Sequence, residues 1–202
     1  MPTVSTTADT TWVRNWLNDR YDTDCCVLTG RAASAIYVLL KALGRSGSSV
    51  MVPAITCPAA VYPVVLAGYR PLFVDVSLDD FNMDPTAMDR AAGDEEIAAV
   101  LAVHSFGHWL DLEPVERWCG RRDALLIEDI CQIMGSGAEG RRGHAMVASF
   151  GYSKPIDCGD GGALLVRDAR LSEAVMREAA ALPSRPANLD ALIGLSGAGE
   201  AL

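Results

Sequence analysis

The sequence predicts an α/β protein built on a mostly parallel, mixed sheet with helices on both faces. Short apolar runs alternate along the chain with segments of helical periodicity, which is typical of strands buried on both faces and of the helices that connect them. The chain has 202 residues, half of them hydrophobic, and this length is enough to bury a large core. The charged fraction of 21% is ordinary for a globular protein.

Helical periodicity and terminal signals define the predicted helices. Two tryptophans and Leu17 recur at helical spacing after a Thr/Asp cap, and Gly44 ends a second helix with one apolar stripe. Pro58 is acceptable in the first turn of the third helix, in which Pro63 should produce a kink. In order, the predicted helices are TADTTWVRNWLNDRY, RAASAIYVLLKALG, CPAAVYPVVLAG, a segment from Thr86, DLEPVERWCGRR and ARLSEAVMREAAAL.

Seven apolar runs, bounded by glycine, proline or polar residues, predict the strands of the sheet. In order they are CCVLTG, SVMVPA, RPLFVDV, IAAVLAVHS, ALLIEDI, HAMVASFGYS and GGALLVRD. A polar, hairpin-like stretch, SLDDFNMDP, follows the third strand, and a loop that contains a lysine separates the last two. The tail of the chain, in contrast, contains no comparable pattern and is expected to be loose.

The composition argues against several classes of protein. A formal net charge of −9 is unfavourable for a general nucleic-acid-binding surface, which needs a basic stripe. No stretch approaches the apolar run of a membrane span, and the start of the chain lacks the features of a signal peptide, so we expect a cytoplasmic protein. The six cysteines form no C-x-x-C pair, and we expect small buried side chains rather than disulfides or metal ligands.

Two glycine-containing segments could bind a phosphate group. GSGAEG, residues 135–140, fits G-x-G-x-x-G, but it neither directly follows a strand nor opens a helix, so we interpret it as a surface loop. LTGRAASAI runs from a strand through Gly30 into a helix. The first backbone N–H groups of that helix, those of Arg31, Ala32 and Ala33, could hold an anion. An ordinary strand-to-helix turn explains this segment equally well.

Several polar residues lie at the ends of predicted strands. Glu128 and Asp129 end a buried strand and should project to opposite faces. An acid in this position lies where open α/β sheets bind ligands, although such an acid can also cap the next turn. His104 follows another strand, where a hydrogen-bonded structural histidine is the commoner outcome. Ser149 lies in no G-x-S-x-G elbow, which disfavours a hydrolase.

Lys154 has chemistry that the arginines of this chain do not have. Only Lys41 and Lys154 are lysines among the 17 basic residues, and a lysine amine can lose its proton and attack a carbonyl carbon. A loop lysine is ordinarily a solvated side chain. Here it accompanies a phosphate-binding turn and a strand-end acid, and these are the three parts needed to hold pyridoxal phosphate (PLP). The lysine would form the imine, the acid would keep a proton on the pyridine nitrogen, and the helix terminus would bind the phosphate.

Five blocks of the sequence resemble the DegT/DnrJ/StrS family, the sugar-aminotransferase branch of the fold-type I PLP-dependent enzymes. The similarity runs from about Asp24 to about Asp168. The blocks, in order, are TGRAASAIYVLLKALG, VMVPAITCPAAVYPVVLAGYRPLFVDVSLDDFNMDP, AVHSFGHWLDLEPVERWC, LLIEDICQIMGS and SFGYSKPIDCGDGGALL. Five blocks in the correct order are far more specific than any one of them.

The resemblance implies particular roles for the candidate residues. Lys154 would form the internal aldimine, a Schiff base, and would later move a proton as a base. Asp129 would pair with the pyridinium nitrogen, and Gln132 would contact the cofactor ring or its oxygen. The first amides of the second predicted helix, with the Ser149 hydroxyl, would hold the phosphate. The predicted catalytic residues are Lys154 and Asp129, and the predicted cofactor-binding residues are Gly30, Arg31, Ala32, Cys57, His104, Asp129, Gln132, Ser149 and Lys154.

Two features of the sequence depart from the family pattern. The family commonly has an aromatic residue that stacks on the cofactor at the position where this chain has Cys57. Its members also carry a smaller C-terminal domain, which we expect to be missing here, and their active sites lie at a dimer interface. The resemblance therefore predicts an N-terminal helical arm at 1–23, a PLP-binding large domain at 24–182 and a loose tail at 183–202. It also predicts a homodimer, or a heterodimer with a chain that supplies the missing domain.

The implied activity is that of a PLP-dependent aminotransferase of specialised metabolism, which passes an amino group from a small-molecule donor to a keto-sugar or related carbonyl compound. Two alternatives stay open at this point. The chain could be a non-catalytic or partner-dependent subunit of a heteromeric PLP enzyme. It could also be a PLP enzyme with other Cα chemistry, such as dehydration or racemisation.

Overall fold

The computed structural model describes residues 10–137 and 142–183 of the chain. Within these ranges one seven-stranded sheet separates two layers of helices. The strands are β1 (Cys25–Thr29), β2 (Ser49–Pro53), β3 (Arg70–Val74), β4 (Ile97–Val103), β5 (Leu125–Asp129), β6 (Ala145–Ser149) and β7 (Gly162–Val166). The helices are α1 (Thr11–Tyr21), α2 (Ala32–Leu43), α3 (Pro58–Leu66), α4 (Met88–Ala92), α5 (Leu112–Arg122) and α6 (Ala169–Ala180).

The sheet is mixed and mostly parallel, which confirms the predicted fold class. Its strand order is β1-β7-β6-β5-β4-β2-β3. All pairs from β6 to β3 are parallel, and β7 runs antiparallel to both of its neighbours, β1 and β6. The carboxyl ends of β1 and of the parallel strands therefore lie at the same edge of the sheet, where β7 begins.

The helices form where capping residues and periodicity predict them. The Asp111 and Asp168 side chains accept the backbone N–H groups that open α5 and α6, and Gly44 ends α2 in the left-handed conformation with φ 70°. The helix expected from Thr86 differs in detail. Asp84 caps a short 3-10 turn, Pro85–Ala87, and the regular helix α4 follows that turn.

Two layers of side chains bury the faces of the sheet. Helices α2, α3 and α6 pack on one face, and α4 and α5 pack on the other. Helix α1 contributes Leu17 and Tyr21 to a third apolar cluster with residues of β1, β6 and β7, while Trp12 and Trp16 are exposed. Strands β2, β4 and β5 are buried along their whole length, as their continuous apolar runs predict.

Parts of the predicted domain organisation lie outside the described residues. These parts are residues 1–9 of the predicted arm and residues 184–202 of the predicted tail. The boundary at residue 24 stays a prediction. In the part of the chain that the structure covers, no helix has both the length and the apolar character needed to cross a bilayer.

Gly162, the first residue of β7, determines how closely β7 approaches α2. It pairs with Thr29 on one side and with Ser149 on the other. A Cβ atom at this position would lie 2.5 Å from the Ala32 nitrogen and 2.5 Å from the Arg31 carbonyl carbon. Both are backbone atoms that cannot move without shifting the start of α2. Only glycine therefore allows this packing.

We expect Gly162→Ala to destabilise the protein by about 1 to 3 kcal/mol, because the added methyl group overpacks the backbone of α2. Urea unfolding followed by circular dichroism measures this change. Gly120→Ala is the matched control, since Gly120 is an exposed residue of α5 with open space around it. That variant should gain about 0.5 to 1 kcal/mol. Equal stability of the two variants would contradict the packing argument.

Candidate active site

A cavity of about 330 Å³ opens at the carboxyl edge of the sheet. Its wall comes from the connections that follow β1, β2, β5 and β6, together with the end of β4. Seven residues predicted from the sequence lie in this wall: Arg31, Ala32, Cys57, Asp129, Gln132, Ser149 and Lys154. The structure thus brings together side chains that are separated by more than a hundred positions in the chain. Gly30 and His104 do not line the cavity.

The start of α2 forms one side of the cavity. Arg31, which precedes the helix, has an extended backbone, and its side chain makes no capping hydrogen bond. The Gly161 N–H donates to the Gly30 carbonyl oxygen at 3.0 Å, so Gly30 fixes the turn without lining the cavity. The first N–H groups of a helix have no acceptor within that helix, and the helix dipole makes them a favourable place for an anion. This geometry favours phosphate binding at the turn, the alternative that the sequence left open.

Asp129 lies at the end of β5 and is 7% exposed. Burial raises the pKa of its carboxyl group, and hydrogen bonding by Cys131 and the positive charge of Lys154 act in the opposite direction. The Cys131 N–H donates to Asp129 Oδ1 at 2.9 Å, which orients the carboxyl group. The site therefore presents a buried acid whose charged form is incompletely compensated. A cation placed beside it would stabilise the ionised form.

Lys154 lies in the loop between β6 and β7, where backbone hydrogen bonds fix its position. Its N–H donates to the Gly151 carbonyl oxygen at 3.2 Å. Ser153, the preceding residue, has a left-handed backbone with φ 65°, and its N–H donates to Asp157 at 3.1 Å. Asp157 also accepts the Gly159 N–H at 2.7 Å. The loop is thus shaped by its own polar groups, and Lys154 reaches the same cavity as Asp129.

Ser149, Gln132 and Cys57 complete the predicted part of the wall. Ser149 is half-buried at the end of β6, and its Oγ accepts the Gly151 N–H at 3.4 Å. Gln132 is half-buried in the turn after β5. Cys57 is an exposed thiol immediately before α3. Cys57 and Cys158 depart from the expectation of buried cysteines, because both belong to loops at the open edge of the sheet.

His104 is a structural residue beside the cavity. It is fully buried, and its Nδ1 accepts the Leu110 N–H at 3.0 Å, so the proton of the ring is on Nε2. Nε2 lies 3.2 Å from Glu128 Oε1 and donates to it. The ring also stacks on Trp109, with 4.7 Å between the ring centroids. These contacts join the ends of β4 and β5, and they agree with the structural alternative for His104 rather than with a place in the cavity wall.

Glu128 and Asp129 have different environments, as their opposite orientations predict. Glu128 is fully buried and accepts the Gly143 N–H at 3.3 Å in addition to the bond from His104. Asp129 lines the cavity. Of the GSGAEG segment, residues 135–137 are exposed and residues 138–140 lie outside the described residues. No cluster of metal-ligating side chains occurs in the part of the chain that the structure covers.

The sequence did not single out Thr56, Tyr152 or Asp160, which also line the cavity. Thr56 follows β2 at the same edge of the sheet that carries Asp129, so the strand-end rule used for the acids could have identified it. Its hydroxyl oxygen is buried and has no hydrogen-bond partner among the described residues. Tyr152 and Asp160 belong to the lysine loop and are exposed.

Comparison with known proteins agrees with this geometry. Residues 16–182 match the sequence model of the DegT/DnrJ/EryC1/StrS aminotransferase family. The chain is 33% identical over 150 residues to a protein named pleiotropic regulatory protein from Geobacillus stearothermophilus, a match that covers 71% of this chain and 40% of that protein. It is 30% identical over 156 residues to the UDP-2-acetamido-2-deoxy-3-oxo-D-glucuronate aminotransferase of Pseudomonas aeruginosa, which covers 74% of this chain and 43% of that protein.

A solved structure shows the same fold. The crystal structure of NtdA from Bacillus subtilis, with bound cofactor PMP, matches with a TM-score of 0.79 and 24% sequence identity. The match covers 86% of this chain and 40% of that chain. The chain therefore spans less than half the length of each of these three proteins.

We expect His104→Leu to destabilise the protein by about 3 kcal/mol, because it leaves the buried Glu128 carboxylate without its Nε2–H donor. Urea unfolding measures the loss. His108→Leu serves as the control, since His108 is an exposed loop residue four positions away, and this change should stay within about 0.5 kcal/mol. A loss below about 1 kcal/mol for His104→Leu would show that the pair is not a structural link.

We expect Asp129→Asn to stabilise the ligand-free protein at neutral pH. Burial raises the pKa of Asp129 above its value in the unfolded chain, so the unfolded chain ionises first as the pH rises. The wild-type protein therefore loses stability through that interval, and the neutral amide does not. The unfolding midpoints of the two proteins should be similar at low pH, and as the pH rises to neutral the midpoint of the variant should become the higher one. A variant that is less stable only at neutral pH would contradict this sign.

Proposed function

Since this chain belongs to the DegT/DnrJ/EryC1/StrS aminotransferase family, we propose that it binds PLP and transfers an amino group to a keto-sugar or related small carbonyl compound. The observation that carries the proposal is one cavity that holds an amine, a buried acid and a helix N-terminus. Each of these groups meets a different chemical requirement of the cofactor.

The residues present fit pyridoxal phosphate. Lys154 offers a primary amine for an aldehyde, and Asp129 offers a buried carboxylate for a pyridinium nitrogen. The start of α2 and the Ser149 hydroxyl offer hydrogen-bond donors for a phosphate group. Gly162 allows β7 to lie directly against the backbone of α2, which keeps Ser149 and the helix start side by side. These contributions come from three separate parts of the sheet: the connection from β1 to α2, the end of β5, and the segment from the end of β6 to the start of β7.

When bound, PLP supplies an electrophilic carbonyl carbon and a ring that accepts electrons from a deprotonated Cα. Lys154 would hold the cofactor through Nζ at that carbonyl carbon, with the carbonyl oxygen leaving as water, and its amine, when free, would accept and return a proton at the reacting carbon. The Asp129 carboxylate would hold a proton on the ring nitrogen, and this charge pair would offset the cost of burying the acid. Gln132 would orient the ring through its side-chain amide.

The name of one relative supports the proposed substrate class. The Pseudomonas aeruginosa relative is named for an aminotransferase reaction on a UDP-linked oxo sugar. This supports a keto-sugar or similar carbonyl acceptor and a small-molecule amino donor for the present chain. A cytoplasmic location and a homodimer, or a heterodimer with a chain that supplies a second domain, stay predictions of the same proposal.

Lys154→Ala tests the proposal directly. Wild-type protein mixed with PLP and reduced with borohydride should carry one stable adduct on the peptide that contains Lys154, as located by mass spectrometry, and the variant should carry none. Lys41→Ala is the matched control, because Lys41 is the other lysine of the chain and is exposed on α2. That variant should be labelled like the wild type. Labelling that persists in Lys154→Ala would overturn the assignment.

An assay of amino-group transfer distinguishes the proposed reaction from the alternative Cα chemistries. Purified protein, alone and together with co-expressed partner chains, should convert a keto-sugar to an amino sugar at the expense of an amino acid. Lys154→Ala should reduce the rate to background. An adduct without any amino transfer in either setting would overturn the aminotransfer proposal and would favour the two alternatives, other Cα chemistry or a non-catalytic subunit.

A further inference from the structure

Thr56 is a residue of the cavity wall to which the sequence assigned no role. It lies in the connection between β2 and α3 and lines the cavity together with Asp129 and Lys154. Its side chain is half-buried, and its hydroxyl oxygen is buried without a partner among the described residues. A hydroxyl group can donate one hydrogen bond and accept two. No residue in the described part of the chain uses this capacity.

The backbone around Thr56 is fixed on both sides. The Ala54 N–H donates to the Val74 carbonyl oxygen at 2.8 Å, which extends the pairing of β2 with β3. The Ala60 N–H donates to the Cys57 carbonyl oxygen at 2.9 Å, which closes the first turn of α3. These bonds hold the connection in place, so Thr56 has a fixed position in the cavity wall.

Leaving a buried hydroxyl unpaired costs stability, and buried polar groups in native proteins are rarely left in this state. The same cavity wall contains the apolar side chains of Ala59, Ala60 and Val103, which offer no acceptor to a hydroxyl group. A bound molecule with an oxygen acceptor is therefore the natural partner. The phosphate and the ring of pyridoxal phosphate both carry oxygen atoms of this kind.

We propose that Thr56 is a further cofactor-binding residue, whose hydroxyl donates a hydrogen bond to an oxygen atom of bound pyridoxal phosphate. This inference rests on the proposed function, because it requires the cofactor to occupy this cavity. The proposed contact means that the Thr56 hydroxyl has opposite effects on the stability of the free protein and on the affinity for the cofactor. In the free protein the hydroxyl destabilises the fold, and in the complex it increases affinity.

The test compares Thr56→Val, which keeps the shape and removes the hydroxyl, with Thr56→Ser, which keeps the hydroxyl. The probe is pyridoxine 5′-phosphate, which lacks the aldehyde, so its affinity does not depend on a covalent bond to Lys154. Equilibrium dialysis should show affinity about 5- to 10-fold weaker for Thr56→Val, and within about 2-fold of wild type for Thr56→Ser. The unfolding midpoint of ligand-free Thr56→Val should equal or exceed that of the wild type.

Ser105→Ala is the matched control. Ser105 Oγ is also buried without a partner among the described residues, but Ser105 does not line the cavity. This variant should keep the wild-type affinity and should not lose stability. It therefore separates the removal of an unpaired hydroxyl from the loss of a ligand contact.

Two results would overturn the inference. Thr56→Val could bind the probe as tightly as the wild type, or it could lose affinity and stability together while Thr56→Ser keeps both, which would indicate an internal structural bond. Failure of the proposed function gives a different pattern, since the wild type itself would then neither bind the probe nor form the Lys154 adduct. That pattern would overturn both proposals.

Discussion

The candidate site depends on the antiparallel strand β7, which lies between β1 and β6. Its first residue, Gly162, pairs with Thr29 and Ser149 and touches the backbone at the start of α2. This contact brings the helix terminus, the serine hydroxyl and the lysine loop to the same edge of the sheet. A side chain larger than hydrogen at this position would separate them. The packing of one glycine thus brings two segments that are distant in the chain, the start of α2 and the β6–β7 segment, to the same cavity.

Within the part of the chain that the structure covers, two buried polar groups beside the cavity lack the partners that would compensate for their loss of water. Asp129 is buried with a raised pKa, and the Thr56 hydroxyl is buried with no partner in the described ranges of the chain. Both features reduce the stability of the ligand-free protein, because desolvated polar groups lose their bonds to water. A ligand that carries a cationic ring nitrogen and oxygen acceptors satisfies both groups. Stability and binding are therefore expected to oppose each other at these positions.

Asp129 lies beside a buried hydrogen-bonded pair, His104 and Glu128, that does not line the cavity. The neutral ring of His104 donates to Glu128, which neighbours Asp129 in β5. Since His104 follows β4, this bond joins the two strand ends that border the cavity. It positions Asp129 through the backbone and makes no contact of its own with the cavity. Asp129 thus lines the cavity while its neighbour Glu128, whose side chain lies on the opposite face of the strand, makes the structural bond to His104.

The sequence by itself determined the α/β class, all seven strands, the helices and seven residues of the cavity wall, because apolar periodicity, helix caps and strand-end polar residues are local signals. Lys154 and Asp129 could be identified as candidates because a loop lysine, a strand-end acid and a possible phosphate-binding turn occur together in one predicted sheet. The tertiary structure alone decided that His104 pairs with Glu128, that β7 lies between β1 and β6, and that the Thr56 hydroxyl has no partner among the described residues. Each of these depends on contacts between segments distant in the chain, and hydrogen-bond partners and burial at such contacts leave no periodic signal in the sequence.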